Sequence, residues 1–177
     1  MITWDAFSYK GITYDLGHLH PFCFQYKQQA TVNKPESIFN VQLCFSLHCF
    51  TKDGLLSSSS PLNYSDAKET RTFNFDRYEL SKKLPEIVMS LHMRKCMHTT
   101  RGNYFVIDVD TPDAGKLEYE VFFNVGKLEN NVASIYIESA YVRDEAHMKN
   151  RPPTTKKISL FVLIYNKLNN KIIRVPT

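Results

Sequence analysis

The fold is decided by the stretch Phe39-Asn40-Val41-Gln42-Leu43-Cys44-Phe45-Ser46-Leu47-His48-Cys49. Apolar side chains fill every second position from Phe39 to Cys49, and mostly polar side chains fill the positions between them. Successive side chains of a strand point to opposite faces, so this alternation predicts one long strand with a buried face and a polar face. The predicted polar face carries Gln42, Cys44, Ser46 and His48, and we expect functional groups there.

The same alternation recurs along the chain, and it favours antiparallel pairing because one face of each strand is polar. The predicted alternating strands are Tyr104–Asp110, Leu117–Val125 and Ala133–Arg143. A run that is apolar on both faces, Ile158–Tyr165, predicts a central strand. Shorter strands are predicted at Ile12–Leu16, Phe22–Lys27 and Lys171–Val175.

One segment, Asp76–Cys96, has helical spacing. Asp76 followed by Glu79 resembles a helix-capping sequence. The apolar stripe consists of Leu80, Leu84, Ile87, Val88 and Leu91. Pro85 interrupts the stripe, which predicts a kink or two short helices with Pro85 in the first turn of the second. We expect this segment to pack on one face of the sheet.

Composition indicates one α+β domain over residues 1–177, built on a mainly antiparallel, twisted sheet. The chain has 43% hydrophobic and 23% charged residues, which is ordinary for a globular domain. It contains no apolar run of membrane-spanning length, so we expect a soluble cytoplasmic protein whose four cysteines are reduced thiols.

Positive charge is concentrated near the C-terminus. From Tyr141 onward, eight Lys or Arg residues face two acidic ones, giving +6 and leaving −2 for the rest of a chain whose net charge is +4. Such a section could contact phosphate groups, and RNA or another phosphate-bearing ligand is the predicted partner. The predicted nucleic-acid-binding residues are Lys149, Arg151, Lys156 and Lys157. The alternative is an ordinary solvated basic surface.

Sequence motifs for nucleotide or metal chemistry are missing. The six glycines form no phosphate-binding loop, and no C-x-x-C or H-E-x-x-H occurs. Cys44 and His48 would stand roughly 13 Å apart along a strand, too far to bind one metal ion. The sequence therefore predicts neither a metal nor a cofactor.

A metal-free catalytic set is the leading functional hypothesis. Two imidazoles with guanidinium groups suit phosphodiester cleavage, with one imidazole as base, one as acid, and the guanidinium groups stabilising charge on phosphate. We expect His48 and His98 in the acid and base roles, Arg94 and Arg143 as phosphate ligands, and Tyr141 as an orienting or stacking group.

Two resemblances bear on this hypothesis. A helix followed by four antiparallel strands over Asp76–Asn166 resembles the layout of the barnase/EndoU/RelE-like ribonuclease toxins, which implies an endoribonuclease-like or toxin-like activity. The segments Leu47–Thr51, Arg77–Ser81 and Ser139–Asp144 resemble stretches in a group of uncharacterised bacterial proteins, which implies a bacterial or mobile-element origin and no established activity. The alternative to an enzyme is a non-catalytic binding module for a protein or small ligand, for example in stress response or phage defence.

Overall fold

A computed structural model describes residues 2–54, 57, 59–99, 102–111, 115–142 and 157–173. Twelve strands lie in these ranges: β1 Phe7–Tyr9, β2 Ile12–Tyr14, β3 Phe22–Gln28, β4 Ser37–Phe45, β5 Thr51–Lys52, β6 Asn63–Ser65, β7 Thr70–Phe73, β8 Lys95–Thr99, β9 Gly102–Thr111, β10 Gly115–Lys127, β11 Ala133–Val142 and β12 Lys157–Ser159. The α-helices in the same ranges are α1 Phe75–Ser81, α2 Leu84–Met89 and α3 Leu160–Leu168. None of the described helices is long and apolar enough to cross a membrane.

A seven-stranded sheet forms the body of the molecule, in the order β12-β8-β9-β10-β11-β4-β3. Every pair in it is antiparallel except β11 with β4, which run parallel. A three-stranded sheet, β5-β7-β6, and the β1-β2 hairpin complete the architecture. The predicted α+β class with a mainly antiparallel sheet is confirmed.

The alternating segments predicted as strands are the centre of this sheet. Strand β10 contains all of Leu117–Val125, and β9 and β11 flank it with the expected alternation. The register between β10 and β11 shifts at Phe122/Phe123, where Phe122 pairs with Ser139 and Phe123 with Ile137. Glu138 is the extra residue of a bulge, which explains why the burial pattern of β11 changes phase after Ile137.

The long strand predicted over Phe39–Cys49 is too long. Strand β4 ends at Phe45, and Leu47–Cys49 form a 3-10 turn. The backbone amide of Ser46 makes a last ladder bond to the carbonyl of Ile137. The strand ends there because the Ser46 hydroxyl caps the turn, accepting from the amide of His48 at 3.1 Å. Ser46 and His48 therefore do not lie on the polar face of the sheet.

The run Ile158–Tyr165 is not a central strand. It contributes only Ile158 and Ser159 to the edge strand β12, and the chain then enters α3. The buried side chains of α3 fall at helical spacing: Leu160, Leu163, Ile164 and Leu168. The strand predicted at Lys171–Val175 is also absent over residues 171–173, and residues 174–175 lie outside the described ranges.

The kinked helical segment is confirmed as two short helices with Pro85 in the first turn of α2. Its cap differs from the prediction, because the Asn74 side chain, not Asp76, accepts from the Arg77 amide at 2.9 Å. The segment also ends earlier than Cys96, which is the second residue of β8. Helix α3, which the sequence did not predict, is the second helical component.

Two buried tyrosines of the core differ in their hydroxyl groups. The Tyr26 hydroxyl donates to the carbonyl of Val88 at 2.5 Å, whereas the fully buried Tyr119 hydroxyl has no hydrogen-bond partner among the residues that the structure describes. Burial raises the pKa of both tyrosines.

We expect Tyr26→Phe and Tyr119→Phe to change stability in opposite directions. Tyr26→Phe should cost about 1–2 kcal/mol, because it leaves a buried carbonyl without its donor. Tyr119→Phe should be neutral or stabilising by up to about 1 kcal/mol, because it removes an unpaired buried hydroxyl. Urea denaturation of both variants checks this, and a loss above about 1 kcal/mol in Tyr119→Phe would contradict it.

Candidate functional site: a basic cavity at the end of helix α3

The cavity is assembled from three parts of the chain, and we call it the basic cavity. It has a volume of about 540 Å³. Its lining residues are His98 of β8, Gly126 and Lys127 at the end of β10, Lys167 in the last turn of α3, and Asn170, Lys171, Ile172 and Ile173 beyond that helix. Cavities of this size hold small-molecule ligands in other proteins.

The end of α3 is what brings these residues together. Asn170 adopts a left-handed backbone conformation, with φ of 53°, which asparagine tolerates better than most residues. The Asn170 amide donates to the carbonyl of Lys167 and the Lys171 amide to that of Asn166, the hydrogen-bond pattern of a Schellman cap. The chain therefore turns sharply after Leu168, and Ile173 packs against the core.

Lys127 joins β10 to the same helix end. Its ammonium group donates to the carbonyl of Leu168 at 2.7 Å. A lysine ammonium has three hydrogens, so up to two remain for a ligand. The carbonyls of Tyr165, Asn166, Lys167 and Leu168 all accept hydrogen bonds, which limits the negative potential of the helix end toward the cavity.

The electrostatic character of the basic cavity is positive. Of the eight described residues that line it, three are lysines and none is acidic. The Lys171 ammonium lies 4.9 Å from the ring centroid of Tyr165, a contact that holds it near the helix. The His98 imidazole is oriented from the other side, with Nδ1 2.7 Å from Oδ1 of Asn103, a buried residue of β9. Because that oxygen can only accept, Nδ1 is the donor.

His48 belongs to a different cluster. Its Nε2 lies 2.7 Å from Oε1 of Glu69, and Arg71 lies 3.3 Å from the other Glu69 oxygen and 2.6 Å from Asp53. The hydrogen bond from His48 is the main cause that lowers the pKa of Glu69. Both side chains of the His48–Glu69 pair are more than a third exposed, so the pair contributes little to stability.

Tyr141 and Arg77 lie beside this second cluster. One Arg77 nitrogen donates to the carbonyls of His48, at 3.2 Å, and Thr51, at 2.6 Å. The Arg77 guanidinium carbon is 4.9 Å from the ring centroid of Tyr141, which stacks on Phe122 at 5.6 Å. Burial is the main cause that lowers the pKa of Arg77. These contacts fix the turn after β4.

The structure does not bring His48 and His98 together. His98 pairs with Asn103, Asn103 with Phe123, Phe123 with Ile137, and Ile137 with Phe45, three residues before His48. Four ladder steps of about 4.8 Å separate these positions by roughly 19 Å along the sheet. The two imidazoles therefore do not form the acid–base pair that we predicted on one phosphate.

The other predicted site residues are distributed as follows. Arg94 precedes β8 and does not line the basic cavity, and its buried Nε has no hydrogen-bond partner within the described ranges. Lys157 is exposed in β12 and pairs with Met97, so it lies on the sheet face opposite to His98. The remaining predicted residues, Arg143, Lys149, Arg151 and Lys156, lie outside the described residues.

The lysines of the basic cavity were missed as site residues by sequence reasoning. Lys167 and Lys171 contribute to the basic C-terminal excess, which was the available signal. Lys127 lies far from that section in sequence, and no pattern around it indicated a role. Within the described part of the chain, no three His, Cys, Asp or Glu side chains come together as a possible metal site.

A third histidine contact resembles a catalytic dyad but is structural. His18 Nε2 lies 2.8 Å from the Ser81 hydroxyl, and burial is the main cause that lowers the pKa of His18. Ser81 is fully buried, and its hydroxyl donates to the carbonyl of Tyr78 at 2.7 Å. A substrate cannot reach this oxygen, so the contact ties the Gly17–Leu19 turn to α1.

We expect His18 to make the protein less stable in mild acid. Its folded-state pKa lies below the ordinary value of 6.5, so the unfolded chain binds more protons once the pH falls below about 6.5. Stability should fall from pH 6.5 downward until the folded-state pKa is passed. In His18→Gln, urea denaturation between about pH 7 and pH 5 should show a smaller loss than in wild type. An equal loss in both proteins would contradict this role.

Comparison with known proteins places the chain in a family. A model of the YjaZ family matches residues 6–168. The chain belongs to the YjaZ family. Protein YjaZ of Escherichia coli (strain K12) is 31% identical over 137 residues, which cover 75% of this chain and 73% of that protein. The predicted similarity to a group of bacterial proteins is therefore confirmed.

The YjaZ family match spans almost all of the described elements, from before β1 to the last residue of α3. It includes His98, Lys127 and Lys167, while Asn170–Ile173 lie just beyond it. No solved structure matches the chain. The resemblance to ribonuclease toxins stays a prediction.

Proposed function

We propose that this member of the YjaZ family is a non-catalytic binding module for a phosphate-bearing ligand, which it holds in the basic cavity. The observation that supports the proposal is that Lys127, Lys167 and Lys171 line one cavity, and that none of its described lining residues is acidic. Like charges around one cavity repel one another, and an anion between them offsets that repulsion.

Binding fits this geometry better than catalysis. Among the described lining residues, His98 alone has an imidazole, and its expected partner His48 is engaged with Glu69 elsewhere. The predicted cleavage mechanism uses one imidazole as acid and a second as base at the reacting atoms. Lysine, by contrast, binds phosphate as a point charge without any need for proton transfer.

Calorimetric titration of the full chain with inorganic pyrophosphate tests the proposal. We expect saturable binding that weakens steeply between about 50 mM and 200 mM salt, because screening acts on exposed charges. Absence of saturable binding at the lower salt concentration would overturn the proposal.

A second measurement tests the non-catalytic part. Labelled RNA is incubated with the protein in EDTA, beside the His98→Ala variant. We expect no cleavage product from either protein. Cleavage by wild type that is lost in His98→Ala would replace the binding module by the enzyme hypothesis.

A further inference from the structure

We infer that the ligand of the basic cavity is a phosphomonoester, that is, a terminal phosphate group on a small sugar or nucleotide. Internal phosphodiesters of a nucleic-acid chain are then poor ligands. This inference rests on the proposed function, and it names the class of ligand that the lining residues recognise.

The origin of the three lysines in separate parts of the fold is the first argument. Lys127 comes from the end of a strand, Lys167 from the last turn of α3, and Lys171 from the segment beyond it. Three ammonium groups from three elements can surround a phosphate only if most of its oxygens are free. A terminal phosphate has three such oxygens, whereas an internal diester has two and continues as a chain on both sides.

Charge is the second argument. A phosphomonoester carries about −1.5 to −2 at neutral pH, and a diester carries −1. The three lysines supply three positive charges, and no acidic residue in the described part of the lining offsets them. The ligand that neutralises this cavity best is therefore a dianion.

The rest of the lining bears on the body of the ligand. Ile172 and Ile173 form an apolar wall, and Asn170 adds one amide side chain. Among the described residues, none that lines the cavity is aromatic or an arginine, so this lining offers no platform on which a base could stack. Recognition of single-stranded RNA relies largely on such stacking. The affinity of the cavity should thus depend on the phosphate group of the ligand and not on its base.

Three small phosphate esters test the inference by calorimetry on the full chain. They are adenosine 5′-monophosphate, adenosine 3′,5′-cyclic monophosphate and ribose 5-phosphate. The first two share base and sugar and differ in monoester against diester. We expect the monoester nucleotide to bind at least about tenfold more tightly than the cyclic diester, because it has nearly one more negative charge among three lysines. Ribose 5-phosphate should bind within about threefold of the monoester nucleotide, because no residue stacks the base.

The Lys171→Gln variant tests whether these ligands bind in the basic cavity. It should lower the affinity for both monoesters by more than it lowers that for the cyclic diester. Equal affinity of the monoester and cyclic nucleotides, with pyrophosphate still binding, would overturn the inference and leave the proposed function intact. Binding of pyrophosphate and of an RNA oligonucleotide, with no binding of either monoester, would have the same consequence. Failure of all these ligands and of pyrophosphate to bind would overturn both.

Discussion

Replacing Phe73 with alanine is expected to lower the free energy of unfolding by about 3–5 kcal/mol, the range for removing a fully packed aromatic side chain. Phe73 is the last residue of β7 and is 2% exposed. Its ring stacks on Phe7 with centroids 4.0 Å apart, and further rings surround it from the β1-β2 hairpin, the turn between β4 and β5, and α1. The alanine variant would leave a cavity where these elements meet.

The physical role of Phe73 is to attach the small sheet to the body of the molecule. Strands β5 and β6 are only two and three residues long, and short strands without packing are marginal. Aromatic pairs add about 0.5–1.5 kcal/mol each beyond their buried area. Phe73→Leu is the matched control, since it keeps most of the volume, and it should cost less than half as much. A loss in Phe73→Ala below about 1 kcal/mol would show that the small sheet is held by other contacts.

Replacing Lys167 and Lys171 together with glutamate is expected to lower the affinity for pyrophosphate by at least about 100-fold, which is about 2.8 kcal/mol. The double change turns two attractive charges of the cavity into repulsive ones. Both side chains are exposed, and the residues that the helix needs for its cap are Asn169 and Asn170, so the fold should be retained. Calorimetric titration measures the affinity, and circular dichroism confirms the fold.

A matched control separates the cavity from the net charge of the protein. Lys52→Glu with Lys68→Glu makes the same change in charge on exposed lysines that do not line the cavity. This control should retain affinity within about threefold, because distant exposed charges are screened by salt. Equal losses in the two double variants would show that binding follows net charge and not the basic cavity.

How far the fold could be predicted depends on what decides each segment. In Leu117–Val125 the alternation is imposed by one buried and one exposed sheet face, and the prediction was correct. Ile158–Tyr165 lacks that contrast, so the spacing of its apolar residues could not distinguish a buried strand from a buried helix. Helical spacing becomes clear only when Leu168, which lies beyond the predicted strand, is considered with Leu160, Leu163 and Ile164. In Phe39–Cys49, the alternation continues through Leu47 and Cys49 although Ser46 ends the strand, because a 3-10 turn can also bury those two side chains.

The candidate site was less predictable, because it depends on distant segments. His98 lies near a strand end, which the sequence indicates, whereas its pairing with His48 rests on residue type alone. The pairing of β8 with β9 places His98 beside Asn103, and the cap at Asn170 places Lys171 beside the end of β10. Neither His98 nor Lys171 is close in sequence to Lys127. Convergence of this kind follows from the order of strands, which short-range patterns do not contain.

The central claim is that a phosphate group binds in the basic cavity, and NMR titration tests it most directly. Proton–nitrogen correlation spectra of the full chain are recorded while pyrophosphate is added. We predict saturable shifts of the backbone amides of Gly126, Lys127, Lys167, Asn170 and Lys171, with the amides around His48, Glu69 and Arg77 unchanged. Shifts confined to the cluster around His48, or no saturable shift at the cavity residues, would contradict the account.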